Sequence, residues 1–160
     1  LFSQSPPPKK KKKIVAEQSR PATSAEVEEW HDTSQVYLDD WVESRELVHY
    51  SKIELDRDMS FGQTRTVTTK KKALVGDDIL AAPPPKDKYI ECLLFPTGAT
   101  FKCLGGQHAF EWTQDVRKKY EEEGKTPPHW TRMYDGLILS ADTPFWIRQT
   151  LAGHHNRASH

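Results

Sequence analysis

The sequence contains no apolar run near the roughly 18–20 residues that a membrane-spanning helix requires. Its longest apolar runs, residues 92–95 and 137–139, are the size of strands. No secretory signal pattern is visible. Cysteine is scarce as well, with two in 160 residues, which excludes a disulfide framework. Cys92 and Cys103 fall on neighbouring strand candidates, where a bridge is geometrically allowed. Reduced thiols packed in a core are the expectation, because a buried free cysteine behaves as a small hydrophobe. The hydrophobic fraction is 36%, so the chain can bury a modest core but not one that uses all of its length.

Catalytic signatures are also missing. There is no Walker loop, dinucleotide glycine fingerprint, nucleophile elbow or HExxH. Gly105-Gly106 stands alone and reads as a turn. Cys92, Cys103, His108 and His129 are the metal-ligand candidates of one region, but their spacings of 11, 5 and 21 residues lack zinc-module pairing. His154, His155 and His160 lie towards the end of the chain and read as solvated. Carboxylates are plentiful but fall mostly on faces that read as solvated, and abundance without a converging pocket is not a site. The chain therefore reads as a non-catalytic protein with no cofactor, no metal and no small-molecule substrate.

A net charge of zero conceals segregation. Residues 1–20 carry six basic and one acidic side chain, residues 21–62 three basic and eleven acidic, and residues 63–88 six basic and three acidic. Such a layout concerns partners and not fold. Residues 1–22 read as an extended basic arm. Pro6, Pro7 and Pro8 favour polyproline II, and Lys9, Lys10, Lys11, Lys12 and Lys13 repel one another. Residues 154–160 read as a tail.

Between them the pattern predicts an α+β fold. Thr23 and Glu26 have the spacing of a capping box, followed by a stripe through Val27, Trp30, Ser34, Tyr37, Leu38, Trp41, Arg45 and Val48 at helical intervals. An acidic helical segment, one helix or a helix pair, is expected over 23–50. Trp30 and Trp41 read as core packing, with docking onto a neighbouring protein as the functional alternative. A small domain follows over 51–153. The β-branched stretch 63–69 reads as a strand, with Lys70, Lys71 and Lys72 at its end and a turn at Gly76, Asp77 and Asp78. Residues 89–95 and 99–104 read as a hairpin about Pro96, Thr97 and Gly98. Residues 108–112 suggest a short third strand, with a helix capped by Thr113 and stopped by Gly124. Gly136 to Ser140 reads as a short strand, and Thr143-Pro144 opens a last helix that Gly153 ends. The two C-terminal helices are shorter than the first.

The lysine runs carry the functional expectation. Five positive charges on an extended chain can neutralise phosphates, and counterion release favours this. Arg65 with Lys70, Lys71 and Lys72 offers a second contact. The expectation is a structural subunit of a large ribonucleoprotein, an accessory protein of a mitochondrial ribosome, binding rRNA and neighbouring proteins. The first residue is Leu1 and not Met, which suits removal of a transit peptide and points to the mitochondrial matrix. The alternative is a peripheral accessory subunit of a mitochondrial respiratory-chain or other protein-only complex, which neutral charge and the acidic segment favour.

Overall fold

The computed structural model describes residues 31–64 and 66–158. The basic arm, Trp30 and Arg65 lie outside the described residues. The fold is α+β, as the pattern predicts. Strands β1 (Val42–His49), β2 (Ile53–Leu55), β3 (Glu91–Thr97), β4 (Thr100–Gly105) and β5 (Met133–Leu139) form one mixed sheet in the order β1-β5-β3-β4-β2. Helices α1 (Thr69–Ala81), α2 (Gln107–Glu122) and α3 (Phe145–Ala158) complete it.

The centre of the sheet is the predicted hairpin. β3 pairs antiparallel with β4 and parallel with β5. Cys92, Leu93, Leu94 and Phe95 are all fully buried, because a central strand is covered on both faces. The pleat separates them: Leu93 and Phe95 join Leu104, Leu137, Leu139 and the α3 residues Ile147, Leu151 and Ala152. Cys92 and Leu94 join Cys103, Tyr134, Ile138 and Phe110 of α2. Both cysteines are free and buried.

The expected helix over 23–50 does not extend through its second half. After a short 3-10 turn at Leu38–Asp40, residues 42–49 are strand β1, antiparallel to β5. Pairing with β5 satisfies a complete row of backbone groups, and this tertiary gain overrides the weak helical stripe. A bulge between Val42 and Ser44 shifts the pleat, so Val42 packs with the α3-side core and Val48 with the α2-side core.

Only Tyr50–Lys52 separates β1 from β2, although they occupy opposite ends of the strand order. Four residue steps reach at most roughly 14 Å, whereas four strand spacings of a flat sheet span roughly 19 Å. The sheet therefore curls until its edges approach, and β1 and β2 are two halves of one bent strand. Val48 from one edge and Ile53 from the other meet in a single cluster with Phe110. The Arg117 guanidinium of α2 lies 3.8 Å above the Tyr50 ring at the bend.

Four further expectations are corrected. Within 63–69 the described residues form no strand, and Lys70, Lys71 and Lys72 lie in the first turn of α1, capped by the Thr68 hydroxyl, which accepts from the Lys71 amide at 3.2 Å. Gly76 to Asp78 is not a turn but helix. A Cβ at Gly76 would sit 2.2 Å from the Trp112 indole nitrogen, so this glycine is there for close helix packing. Residues 108–112 are not a strand, because α2 starts at Gln107, and Thr113 is buried in its middle. Gly124, with φ +70, does follow its end. Finally α3 runs through Gly153 to Ala158, so His154 and His155 are helical and not part of an unstructured tail.

Candidate functional site

Of the residues expected to contact RNA, the described ones are Lys70, Lys71 and Lys72. Lys72 turns to the neighbouring helix, where its ammonium lies 3.0 Å from Glu111 and 2.9 Å from Asp115. These hydrogen bonds, Asp115 first, raise its pKa further. On Glu111, burial acts to raise the pKa, but Lys72 and Arg57 outweigh it and the net shift is downward. Lys70 and Lys71 have no ion pair among the described residues, and Lys70 is exposed. Three lysines in the first turn of a helix oppose its macrodipole, at about 0.3–1 kcal/mol each. Lys72 is compensated internally, whereas Lys70 and Lys71 present uncompensated positive charge to solvent. Trp41 is half-buried against the α3-side core, so much of its ring serves packing.

The metal-ligand candidates do not converge. Among the described residues no group of three or more His, Cys, Asp or Glu could hold a metal ion. His129 lies 2.9 Å from the Pro85 carbonyl and 3.0 Å from that of Lys88, which fixes the proline connector to the body. His108 accepts from the Thr68 amide through Nε2 at 3.3 Å, which places its own proton on Nδ1. Cys92 and Cys103 contact each other, and that contact and burial push the Cys92 thiol well up, so it is not a reactive thiolate.

A second region converges at residues that carry no common motif. Gly105 and Gly106 carry the chain from β4 into α2. A Cβ on Gly105 would lie 2.5 Å from Nδ1 of His155, and one on Gly106 would lie 2.8 Å from the Glu91 carbonyl. Gly106 also has φ +85, which suits glycine. The pair is thus a turn, as expected, and a packing requirement for His155. That ring presents Nε2 to the Glu91 carboxylate at 3.2 Å. The other Glu91 oxygen accepts from Arg45 at 3.1 Å, and Arg45 also holds Asp135 at 2.8 Å. Burial lowers the His155 pKa, and the opposing pull of Glu91 does not overcome it. His155 is therefore neutral at pH 7.

Glu91, Gly106 and His155 border a cavity of about 380 Å³ between α1, the first turn of α2 and the end of α3. Its wall is apolar towards α1, with Val75, Ile79 and Ala82, and polar towards Glu91, His155 and Asn156. A second concavity of about 540 Å³ runs along the bent strand and α2, past Arg57, Glu111 and Arg117. The His155–Glu91 pair was invisible in the sequence because its partners are 64 residues apart.

No family model matches the chain, and no curated protein or solved structure proves similar to it. Among the described residues no helix is long and apolar enough to cross a membrane.

Proposed function

We propose that this protein is a non-catalytic structural subunit of a large ribonucleoprotein, an accessory protein of a mitochondrial ribosome, and that its lysines contact rRNA phosphates. The observation that carries the reading is the placement of positive charge. Lys9 to Lys13 form an unbroken run, and Lys70 and Lys71 sit against the dipole of α1 without a described carboxylate partner. A phosphate beside that turn would be favoured by the lysines and by the helix terminus together. Neighbouring proteins would pack on the folded body.

The test replaces Lys9 to Lys13 with Gln and measures RNA binding against salt. Five phosphate contacts contribute a slope of about −3.5 to −4.5 in log K against log salt. Partial engagement gives an expected flattening of about 2–4. The thermal midpoint of the folded body should not move. An unchanged slope and unchanged affinity for the native particle would refute the RNA contact.

A specific observation favours a second reading, a peripheral accessory subunit of a respiratory-chain or other RNA-free complex. Leu74 and Leu80 on α1 are 55% and 62% exposed, and apolar side chains on one surface helix suit a protein neighbour. Loss of binding to an RNA-free partner on the same Lys-to-Gln replacement would support it.

A further inference from the structure

We propose that the concavity of about 540 Å³ along the bent strand and α2 is a groove for the phosphodiester backbone of RNA. The proposal rests on the RNA reading above and extends it from the basic arm to the folded body. The carboxylates that line the concavity are Glu111 and Asp115, and both are matched. Arg57 and Lys72 hold Glu111 at 2.9 and 3.0 Å, Lys72 holds Asp115 at 2.9 Å, and Arg117 holds Glu121 at 2.7 Å. Three cations and three carboxylates cancel. What remains is positive. Lys118 lines the concavity. Lys52 ends the short turn that contributes Tyr50 and Ser51 to its wall, and the Arg132 carbonyl accepts from the Tyr50 amide at 2.9 Å. Lys52, Lys118 and Arg132 are exposed, with no ion pair among the described residues. Lys72 also anchors the first turn of α1, which carries Lys70 and Lys71, to the same wall.

An independent observation lies on Arg117, which is 8% exposed and lines the concavity. Its guanidinium sits 3.8 Å from the centre of the Tyr50 ring. Nε donates to Gln114 at 2.8 Å and Nη1 to Glu121 at 2.7 Å, while Nη2 has no acceptor among the described residues. A guanidinium held on one face by an aromatic ring, with a donor unused, is preorganised for a phosphate oxygen. The unmatched cations come from the bend, from α2 and from the residue before β5. Charges spread over three elements suit successive phosphates of a chain, each of which releases counterions when it is neutralised.

The experiment follows binding of the full chain to a fluorescein-labelled oligouridylate of about 16 nucleotides by anisotropy, across a range of salt concentrations. Gln at Lys52, Lys118 and Arg132 removes three positive charges at exposed positions and should leave the thermal midpoint in place. At about −0.7 per single-strand phosphate contact, the triple replacement should flatten the slope of log K against log salt by about 2. Gln at Lys86 and Lys88, exposed on the proline connector, controls for charge alone and should leave the slope unchanged. An unchanged slope in the triple variant, or an equal flattening per charge in the control, overturns the groove. The Lys9 to Lys13 variant separates the two readings. If it flattens the slope and the triple variant does not, the RNA reading stands and the groove falls. If neither does, both fall.

Discussion

The two sides of strand β3 are built on different rules. On the α3 side, Leu93, Phe95, Leu104, Leu137, Leu139, Ile147 and Leu151 form an apolar cluster. Its polar intruder is Arg148, 1% exposed, whose guanidinium lies 4.1 Å above the Phe95 ring. On the α2 side, the cluster around Leu94 carries polar atoms that satisfy one another. The Tyr134 hydroxyl pairs with the Thr113 hydroxyl and accepts from Gln114 Nε2 at 2.7 Å. Gln114 also donates to the Thr131 carbonyl at 2.9 Å and accepts from Arg117 at 2.8 Å. The first side is specified by volume, the second by volume and hydrogen-bond geometry. A polar network of this kind is costly when incomplete and tolerates few rearrangements.

Four measurements test whether the two sides differ in this way. Leu94→Ala opens a hole beside Gly136, against which Leu94 packs tightly. It should cost about 2–5 kcal/mol by urea denaturation, and a loss under about 0.5 kcal/mol would show that the α2 side is not close-packed. Tyr134→Phe removes one oxygen and no carbon. It should still cost about 1–3 kcal/mol, because Thr113 and Gln114 lose a buried partner. On the other side, Leu93→Met keeps the volume and should cost under about 1.5 kcal/mol. If the larger loss comes from Leu93→Met, the two sides do not differ as described. The last effect is a pH dependence. Burial depresses the His155 pKa in the folded state. The unfolded chain then binds more protons, so this contribution is intact above the unfolded value near 6.5 and is lost as pH falls through the folded value. In His155→Gln that part of the acid-side decline should disappear, and an identical pH profile would rule His155 out as its source.

The readable parts of the sequence were those where one local signal had no competitor. Residues 89–104 combine β-branched and aromatic side chains with a Gly98 turn, and the hairpin forms at Glu91–Thr97 and Thr100–Gly105. Thr143 and Pro144 did mark the start of a helix. Elsewhere the same residues served two readings. The helical stripe ending in Trp41, Arg45 and Val48 is compatible with an edge strand whose pleat is shifted by a bulge, and its partner β5 lies about ninety residues on. Gly76 and Gly153 read as breakers, yet each sits inside a helix, and at Gly76 the reason is the Trp112 ring on another element. Of the site, the Gly105-Gly106 pair is legible as a turn, and Gly106 does adopt φ +85. What it packs against, His155, could not be seen, because that contact exists only once α3 crosses the end of β4. The lysines were legible as charge, but not that Lys72 pairs inward while Lys70 and Lys71 remain free of ion pairs among the described residues.

The bent strand has a consequence for how the molecule is made. Arg45 pairs with Leu137, 92 residues later, so β1 leaves the ribosome long before its ladder partner exists. At a synthesis rate of about 5–20 residues per second, the interval is roughly 5–18 s. The hairpin of β3 and β4 and the helix α2 emerge within that interval. β1, with its 48% exposed Leu47, meets β5 last. A nascent chain halted before Met133 would present β1 without the partner that now holds it, and that is the stage at which a chaperone would find the most to bind.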